Sequence, residues 1–403
     1  MMAYLLKHKD INVALLVINE EGNVITVKDV FQPDHLPLSC VMEDGKINSK
    51  RLSQWWDERG IPASRENYRI VMSEIGVTGK NRLLLECNGL SLTDHYWIAN
   101  ENETKKWKDV NFYENEFDRG IGGLFFNRKN PDRIYNRYTP DISSDGNLRK
   151  RWEVDNNGRR VLIKAGKSPY MQEPVNEVIA SMLCKRLNIP HVPYIMEFED
   201  EEPVCKCANM TNLDTEFIEA IRVYYTKEPS YFENNKYKHY CGCAHRLGVK
   251  NNTEILDRMM VLDYLILNHD RHFKNFGILR NSQTLNSAEA APIFDSGSSL
   301  FYDEGAAFIS LPERAKIRTE CFDSLDKQMD LISDWTWFDI SKLDGFTDEC
   351  KELLLNVPSV EKERAEKITD VLKKRIQSVQ QIAENKLLHN KQPEHTQSHG
   401  RSI

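Results

Sequence analysis

A chain of 403 residues with 40% hydrophobic composition holds enough apolar material for two or three lobes with their own cores. Charged residues make up 29% and the formal net charge is -7, which argues against a protein that coats nucleic acid but leaves room for a local basic cleft. The start, "MMAYLLKHKDINVALL", lacks the apolar core and small-residue cleavage site of a signal peptide, and no apolar run reaches the ~18 residues that span a bilayer, so a soluble cytoplasmic protein is expected.

Nine cysteines, an odd number scattered along the chain, do not read as a disulfide framework. Cys205 and Cys207 in "VCKCANM", with Cys241 and Cys243 in "YCGCAH" and His245 just after, offer thiolates of the kind zinc takes. The single-residue spacer differs from the usual two, and in a strand it merely puts both side chains on one face, so buried thiols are expected.

In chain order, "INVALLVINEEGNVITVKDV" reads as a hairpin around a Glu-Gly-Asn turn. "SKRLSQWWDERG" reads as a helix capped by Ser49 and stopped near Gly60. With the following "IPASRENYRIVMSEIG" it has the outline of a helix-turn-helix, but the mixed charges and the Trp55-Trp56 pair point to core packing. "YWIANENETKKWKDVNFYENEF" is polar and aromatic, and predicts a surface hairpin or loop lying against a neighbouring lobe. The polar, proline-bearing "RKNPDRIYNRYTPD" marks a boundary near residue 128.

Beyond it, "RWEVDNNGRRVLIKAG" predicts a second hairpin, "EPVNEVIASMLCKRLN" a helix by its apolar spacing, and "VPYIMEFEDEEPVCKCANM" further strands. From about 213 the pattern becomes mainly helical, ending in a long charged helix near 359–387 and a polar tail over 388–403 with the composition of disorder. The expected organisation is therefore a mixed region at 1–128, a strand-rich unit at 129–212, a helical unit at 213–387 and the tail. No internal repeat is present in the sequence.

The residues that carry chemistry fall after the boundary near residue 128, in a restrictive order. The loop "TPDISSDGNLRKRW" contains Ser143, Ser144, Asp145, Gly146 and Asn147, a tight turn whose free N–H groups suit phosphate oxygens, although most such loops are plain turns. "GIGG" at 120–123 is richer in glycine but leads into no lysine-bearing strand. Lys164 closes the next strand, placed either as a point charge for phosphates or as a snorkelling edge lysine, and Glu177, in the helix after it, is placed to hold that lysine or is an ordinary first-turn glutamate favoured by the helix dipole. In "LILNHDRHFKNFGILRN" a polar block interrupts two apolar runs, a costly arrangement unless those groups are paired or bind a ligand. If "FGIL" and the "PIF" of "APIFDSGSSLF" are the two strands of a hairpin, Asn275 and Asp295 arrive at the same end and offer oxygen ligands to Mg²⁺. Asp270, five residues before Asn275, is then placed to orient or deprotonate an attacking hydroxyl, with Arg271 and His272 fixing the loop or approaching phosphates. Phosphate cradle, lysine, metal ligands and a base are the parts phosphoryl transfer uses.

The segments "SSDGNLRKRW", "VLIKAG", "NEVIAS", "LNHDRHFKNFGIL" and "PIFDSGSSL" resemble the HipA family of bacterial serine/threonine kinases over about residues 135–310. The resemblance implies an α+β, two-lobed protein-kinase-like fold with a strand-rich N-lobe, a mainly helical C-lobe and an extra N-terminal region. It implies ATP and Mg²⁺ as cofactors, Asp270 as the catalytic aspartate, Asn275 and Asp295 as metal ligands, and Lys164 as the ATP-contacting lysine. Cys207 to Met210 falls where the family contacts adenine. Some members phosphorylate a serine of their own phosphate loop, for which Ser143 and Ser144 are the candidates. The implied partners are a protein substrate with a Ser or Thr acceptor, such as an aminoacyl-tRNA synthetase or another translation component, and an antitoxin protein, with no direct nucleic acid and no membrane. The loop differs from the glycine-alanine-rich loop of the founding toxins, and the N-terminal portion does not read as their small sheet domain. A small-molecule or phosphoinositide-type kinase is the alternative, since "DRHFKNFG" also resembles those catalytic loops; a non-catalytic nucleotide-binding regulator is disfavoured by the intact set.

Overall fold

The computed structural model describes residues 1–42, 44–128, 134–229, 235–310 and 317–389. The N-terminal region is built on an antiparallel sheet of order β3-β2-β1-β4, from β1 (Met2–His8), β2 (Ile11–Ile18), β3 (Val24–Val30) and β4 (Tyr96–Asn100). The β2–β3 turn needs Gly22: its φ is +84°, and a Cβ there would lie 2.0 Å from the carbonyl oxygen of Asn81. This region is a sheet domain after all, which local pattern did not reveal because β4 joins β1 from nearly ninety residues away.

Helix α1 (Ser49–Glu58) packs on β3, and α2 (Tyr68–Glu74) and α3 (Lys80–Glu86) join the same apolar core. Asn48, rather than Ser49, caps α1, its side chain accepting from the Arg51 N–H at 3.1 Å. Leu52, Trp55 and Trp56 point into the core, and Trp56 Nε1 donates to the Gly22 carbonyl at 2.7 Å. Three of the basic residues of the segment with helix-turn-helix outline are engaged within the protein, while Lys50 and Arg69 are exposed: Arg51 pairs with Glu228 and donates to the Tyr225 carbonyl, Arg59 pairs with Asp94, and Arg65 is buried.

The segment read as a surface hairpin or loop is instead core. Trp97 on β4, Trp107 on the short helix α4 (Trp107–Val110) and Phe112 are buried, so the aromatic residues outweigh the polar ones, which occupy the intervening turn. Tyr113 still reaches the neighbouring lobe, through a 3.2 Å hydroxyl contact with Thr211. In α5 (Gly120–Phe125) the "GIGG" glycines serve packing: a Cβ on Gly122 would lie 2.4 Å from Asp141 Oδ2. The N-terminal apolar core takes in Ile142 and Trp152, so packing runs across the boundary expected at 128.

The second sheet, of order β5-β6-β8-β7, comprises β5 (Lys150–Val154), β6 (Arg160–Ala165), β7 (Tyr194–Glu199) and β8 (Glu202–Ala208), and α6 (Glu173–Arg186) lies against it. After it come β9 (Thr215–Glu219), α7 (Ala220–Tyr224), α8 (Lys236–Arg246), α9 (Asn252–Ile266), β10 (Gly277–Asn281), β11 (Ser287–Ala290), α10 (Leu325–Gln328), α11 (Phe346–Leu355) and α12 (Lys362–His389). One apolar core runs from Val175 on α6 to Ala383 on α12 and unites this helical part. The hairpin partner of β10 is β11, inside the stretch that read as a polar connection, while Ile293 bridges to His191. Among the described residues no helix is long and apolar enough to cross a membrane. The polar tail from residue 390 lies outside the described residues.

Candidate active site

A cleft of about 950 Å³ opens between the β5–β8 sheet, the segment after α9 and the N-terminal region. Ser143 to Asn147, Lys164, Cys207, Met210, Asp270, His272, Asn275 and Asp295 all line it, and Glu177 stands behind Lys164. Residues spread over more than 150 positions are thus brought to one cavity.

Lys164, on β6, reaches Asp295 Oδ1 at 2.6 Å, Glu177 Oε1 at 2.7 Å and the Tyr194 hydroxyl at 3.2 Å. Burial alone would neutralise this lysine, but the two carboxylates outweigh it and raise its pKa well above the ordinary value. Asp295 is held well below the usual carboxylate range: burial opposes ionisation, and Lys164 followed by Lys150 overcomes it. Burial pushes Glu177 upward despite its lysine, and the Ser296 N–H donates to its second oxygen at 2.8 Å.

The polar block after α9 turns because Leu267 adopts φ 56°, the left-handed region. Arg271 then braces it from within. Fully buried, it donates to both oxygens of Asp263 at 2.9 Å, to the Asn275 and Phe294 carbonyls at 2.7 and 2.8 Å, and to Ser296 Oγ at 3.2 Å. That one guanidinium ties the loop carrying Asp270 and Asn275 to the segment carrying Asp295. Asn268 joins in, donating to Asp263 Oδ1 at 2.9 Å and accepting the Asp270 N–H at 3.1 Å. Burial raises the Asp270 pKa, and the nearby Asp295 charge adds to it. Asn275 Nδ2 donates to the Asp270 carbonyl at 3.2 Å, so its oxygen is the end left for a cation. The Lys274 N–H donates to His272 Nδ1 at 3.2 Å, so the neutral His272 ring carries its proton on Nε2.

The loop at 143–147 is held from the N-terminal region. Arg65 donates to Ser144 Oγ at 3.1 Å, to the Gly146 carbonyl at 3.0 Å and to the Ser144 carbonyl, while Ser64 Oγ donates to Asn147 Oδ1 at 2.6 Å. Both serine hydroxyls point back into the loop, Ser143 to the Pro140 carbonyl and Ser144 to that of Asp141, each at 3.3 Å. Lys274 spans the cleft mouth, 3.5 Å from Asp145 and 3.6 Å from Glu58 on α1.

Sequence reasoning missed Lys150, Arg65, Asp263 and Tyr194. Lys150 faces Lys164 across the β5–β6 pairing and donates to the Asp145 carbonyl at 2.6 Å. Burial and the Arg65 charge lower its pKa to about 8. The strand register opposite Lys164 was the one signal available for it. At the inner end of the cleft Leu162, Val192, Cys207 and Phe294 form an apolar wall, and burial pushes the Cys207 thiol up to about 11, so it stays protonated. The Cys205–Cys207 and Cys241–Cys243 pairs lie on β8 and α8 and do not assemble a metal site.

A strand-rich lobe over a helical lobe, with a buried Lys–Glu pair behind a cleft and an Asp-bearing loop in front, defines the protein-kinase type of architecture. The HipA-like C-terminal domain matches residues 142–380, more than half of the chain, and the protein belongs to that family. HipA of Shewanella oneidensis MR-1, solved in a toxin–antitoxin complex with HipB and operator DNA, is similar in structure over 95% of this chain and 98% of its own, with a TM-score of 0.55 and 12% identity. The match extends through the N-terminal region and shows a shared fold. The proinflammatory kinase CtkA of Helicobacter pylori covers 60% of this chain and 95% of its own, at a TM-score of 0.46 and 17% identity. No curated protein matches the chain in sequence.

Proposed function

We propose that the protein is an ATP- and Mg²⁺-dependent serine/threonine protein kinase that also phosphorylates its own loop. The observation that carries this reading is the convergence of Lys164, Glu177 and Asp295 behind a cleft whose opposite wall bears Asp270 and Asn275. The donor set fits Mg²⁺: a carboxylate kept ionised by two lysines and an amide oxygen are hard ligands facing the same cleft. When bound, Mg²⁺ supplies charge neutralisation for the phosphates.

The chain's own residues supply the rest. Leu162, Val192, Cys207, Met210 and Phe294 receive the adenine, Lys164 and Lys150 face the phosphates, and His272 Nε2–H and the N–H groups of Asp145 and Asn147 donate to them, the Gly146 N–H being held by Asp145 Oδ1 at 2.7 Å. Asp270 accepts the proton of the incoming hydroxyl as its oxygen attacks the γ-phosphorus and the bond to the β-phosphate oxygen breaks. Its raised pKa makes it a better base than an ordinary aspartate. Self-phosphorylation at Ser143 or Ser144 requires the loop to leave the Arg65 clamp. The family resemblance supports a protein substrate from the translation machinery and an antitoxin partner.

Radiolabelled ATP added to the purified protein, alone and with a bacterial lysate, tests this. Label is expected on the protein's own 143–144 segment and on a lysate protein, and is lost with chelator or in Asp295→Ala. Label confined to lipid or small molecules, or none at all, overturns the reading.

A further inference from the structure

Apart from the phosphate end of the cleft, the N-terminal sheet meets the helical lobe at a knot of ionisable side chains that phosphoryl transfer does not use. His8 ends β1, His95 immediately precedes β4 and Glu216 lies on β9; all three are fully buried. Their ligand-type atoms lie within 4.8 Å of one another. His8 Nε2 is 3.2 Å from Glu216 Oε2, and His95 Nδ1 is 3.8 Å from the same oxygen.

The outer contacts fix which nitrogens face inward. His95 Nε2 lies 2.8 Å from the Asn212 carbonyl, which only accepts, so Nε2 carries the proton. With the proton on Nε2, the neutral tautomer leaves Nδ1 bare. Its Nδ1 then presents a lone pair toward a carboxylate oxygen, and among the described residues that nitrogen has no hydrogen-bond partner. The same oxygen accepts the His95 backbone N–H at 3.4 Å, and a cation between it and Nδ1 would relieve the repulsion of two electron-rich atoms in a dry interior. His8 is held from its other end, Nδ1 lying 2.9 Å from His35 Nδ1, which leaves Nε2 for the cluster. Glu216 Oε1 accepts from Arg280 Nε at 2.7 Å, so the carboxylate is ionised and oriented.

We propose that His8, His95 and Glu216 form a site for one divalent transition-metal ion, with zinc the best fit, that staples the N-terminal sheet to β9 of the kinase portion. Two imidazoles and a carboxylate are a zinc-type set, whereas Mg²⁺ takes oxygen ligands. Each proposed ligand already has its far end fixed by His35, Asn212 or Arg280, the outer contacts that orient metal-binding side chains. Three protein donors leave the fourth position to water. The Arg280 guanidinium acts against a second cation, and the competing arrangement is a plain His8–Glu216 hydrogen bond with nothing bound. The two give different results on titration.

The test uses untagged full-length protein, stripped with chelator and exchanged into clean buffer, then titrated with Zn²⁺ by calorimetry and with Co²⁺ by visible absorption. One equivalent of zinc should bind, Co²⁺ should give the intense d–d bands of a four- or five-coordinate site, and zinc should raise the melting temperature. His95→Ala and Glu216→Gln should weaken binding by at least ~100-fold, more than an outer contact is worth. Asp295→Asn and His245→Ala, the latter at an exposed histidine, should bind as the wild type does. If His95→Ala fails to fold, His8→Phe, which keeps the ring stacked on Tyr96 at 4.6 Å, takes its place. Wild-type protein that binds no stoichiometric zinc, or a ligand variant that binds it normally, overturns the proposal.

Discussion

Replacing Lys164 with methionine removes one cation from a pocket that holds two carboxylates, Asp295 at 2.6 Å and Glu177 at 2.7 Å. Methionine keeps much of the volume, so the loss is electrostatic. Removing one partner of a buried ion pair costs about 3–5 kcal/mol. Protonating a carboxylate sets a ceiling: at about 1.4 kcal/mol per pH unit, keeping one neutral some three units above its ordinary pKa costs about 4–5 kcal/mol. Both figures place the penalty near 4 kcal/mol around pH 7.5, and the second makes it pH-dependent. In the wild type Asp295 has a depressed folded pKa, so its contribution is present above the unfolded value and is lost as pH falls through the folded one. In the variant Glu177, already pushed up by burial, loses the lysine that held it down, so its folded pKa exceeds the unfolded one, and stability is lost as pH rises above about 4 and recovers on acidification. Urea unfolding followed by tryptophan fluorescence should show a deficit that shrinks by roughly 1.4 kcal/mol for each unit of pH lowered toward 5.5. A deficit under 1 kcal/mol, or one equal at pH 7.5 and 5.5, would refute the buried three-residue pairing.

Two more expectations follow from the cleft. Lys150 has its pKa lowered to about 8, and an anion beside it favours the charged form, so ATP binding should take up a proton near pH 8 and weaken as pH rises beyond it; calorimetry in buffers of different ionisation enthalpy reads this, and Lys150→Met should abolish it. Arg65→Ala cuts the ties to Ser144 and Gly146, so amide exchange over 143–147 should accelerate at least tenfold and self-phosphorylation there should rise; unchanged exchange would show that the clamp holds nothing.

The candidate site was legible because its residues come in an order few folds produce. Asp270, Asn275 and Asp295, with Lys164 and Glu177 upstream, each have an ordinary explanation alone, yet four of them line one cavity and Glu177 stands directly behind it. The "DNNG" turn between β5 and β6 and the apolar spacing of α6 were readable because both are local signals. What escaped depended on distant contacts. Lys150 looks like any strand lysine until register puts it opposite Lys164. Arg65 meets the phosphate loop from about eighty residues away, within a segment that resembled a DNA-reading helix pair. Asp263 is an acidic residue in an apolar helix whose purpose shows only once Arg271 folds back onto it. The polar "SAEA" of β11 is a strand because β10 supplies its partner, not because its residues favour one.

The central claim is that Asp270 receives the proton of the attacking hydroxyl. Asp270→Asn keeps the side chain's shape and removes its negative charge, while Arg271, Asp263 and Asn268 continue to brace the loop. The decisive measurement is the single-turnover rate of phosphoryl transfer from Mg-ATP, taken alongside ATP affinity and melting temperature on the same preparation. Transfer should fall by roughly two to four orders of magnitude with affinity and melting temperature nearly unchanged. A variant that transfers phosphate at close to the wild-type rate, or that loses its fold, would show that Asp270 is a structural residue of the loop and would contradict the account.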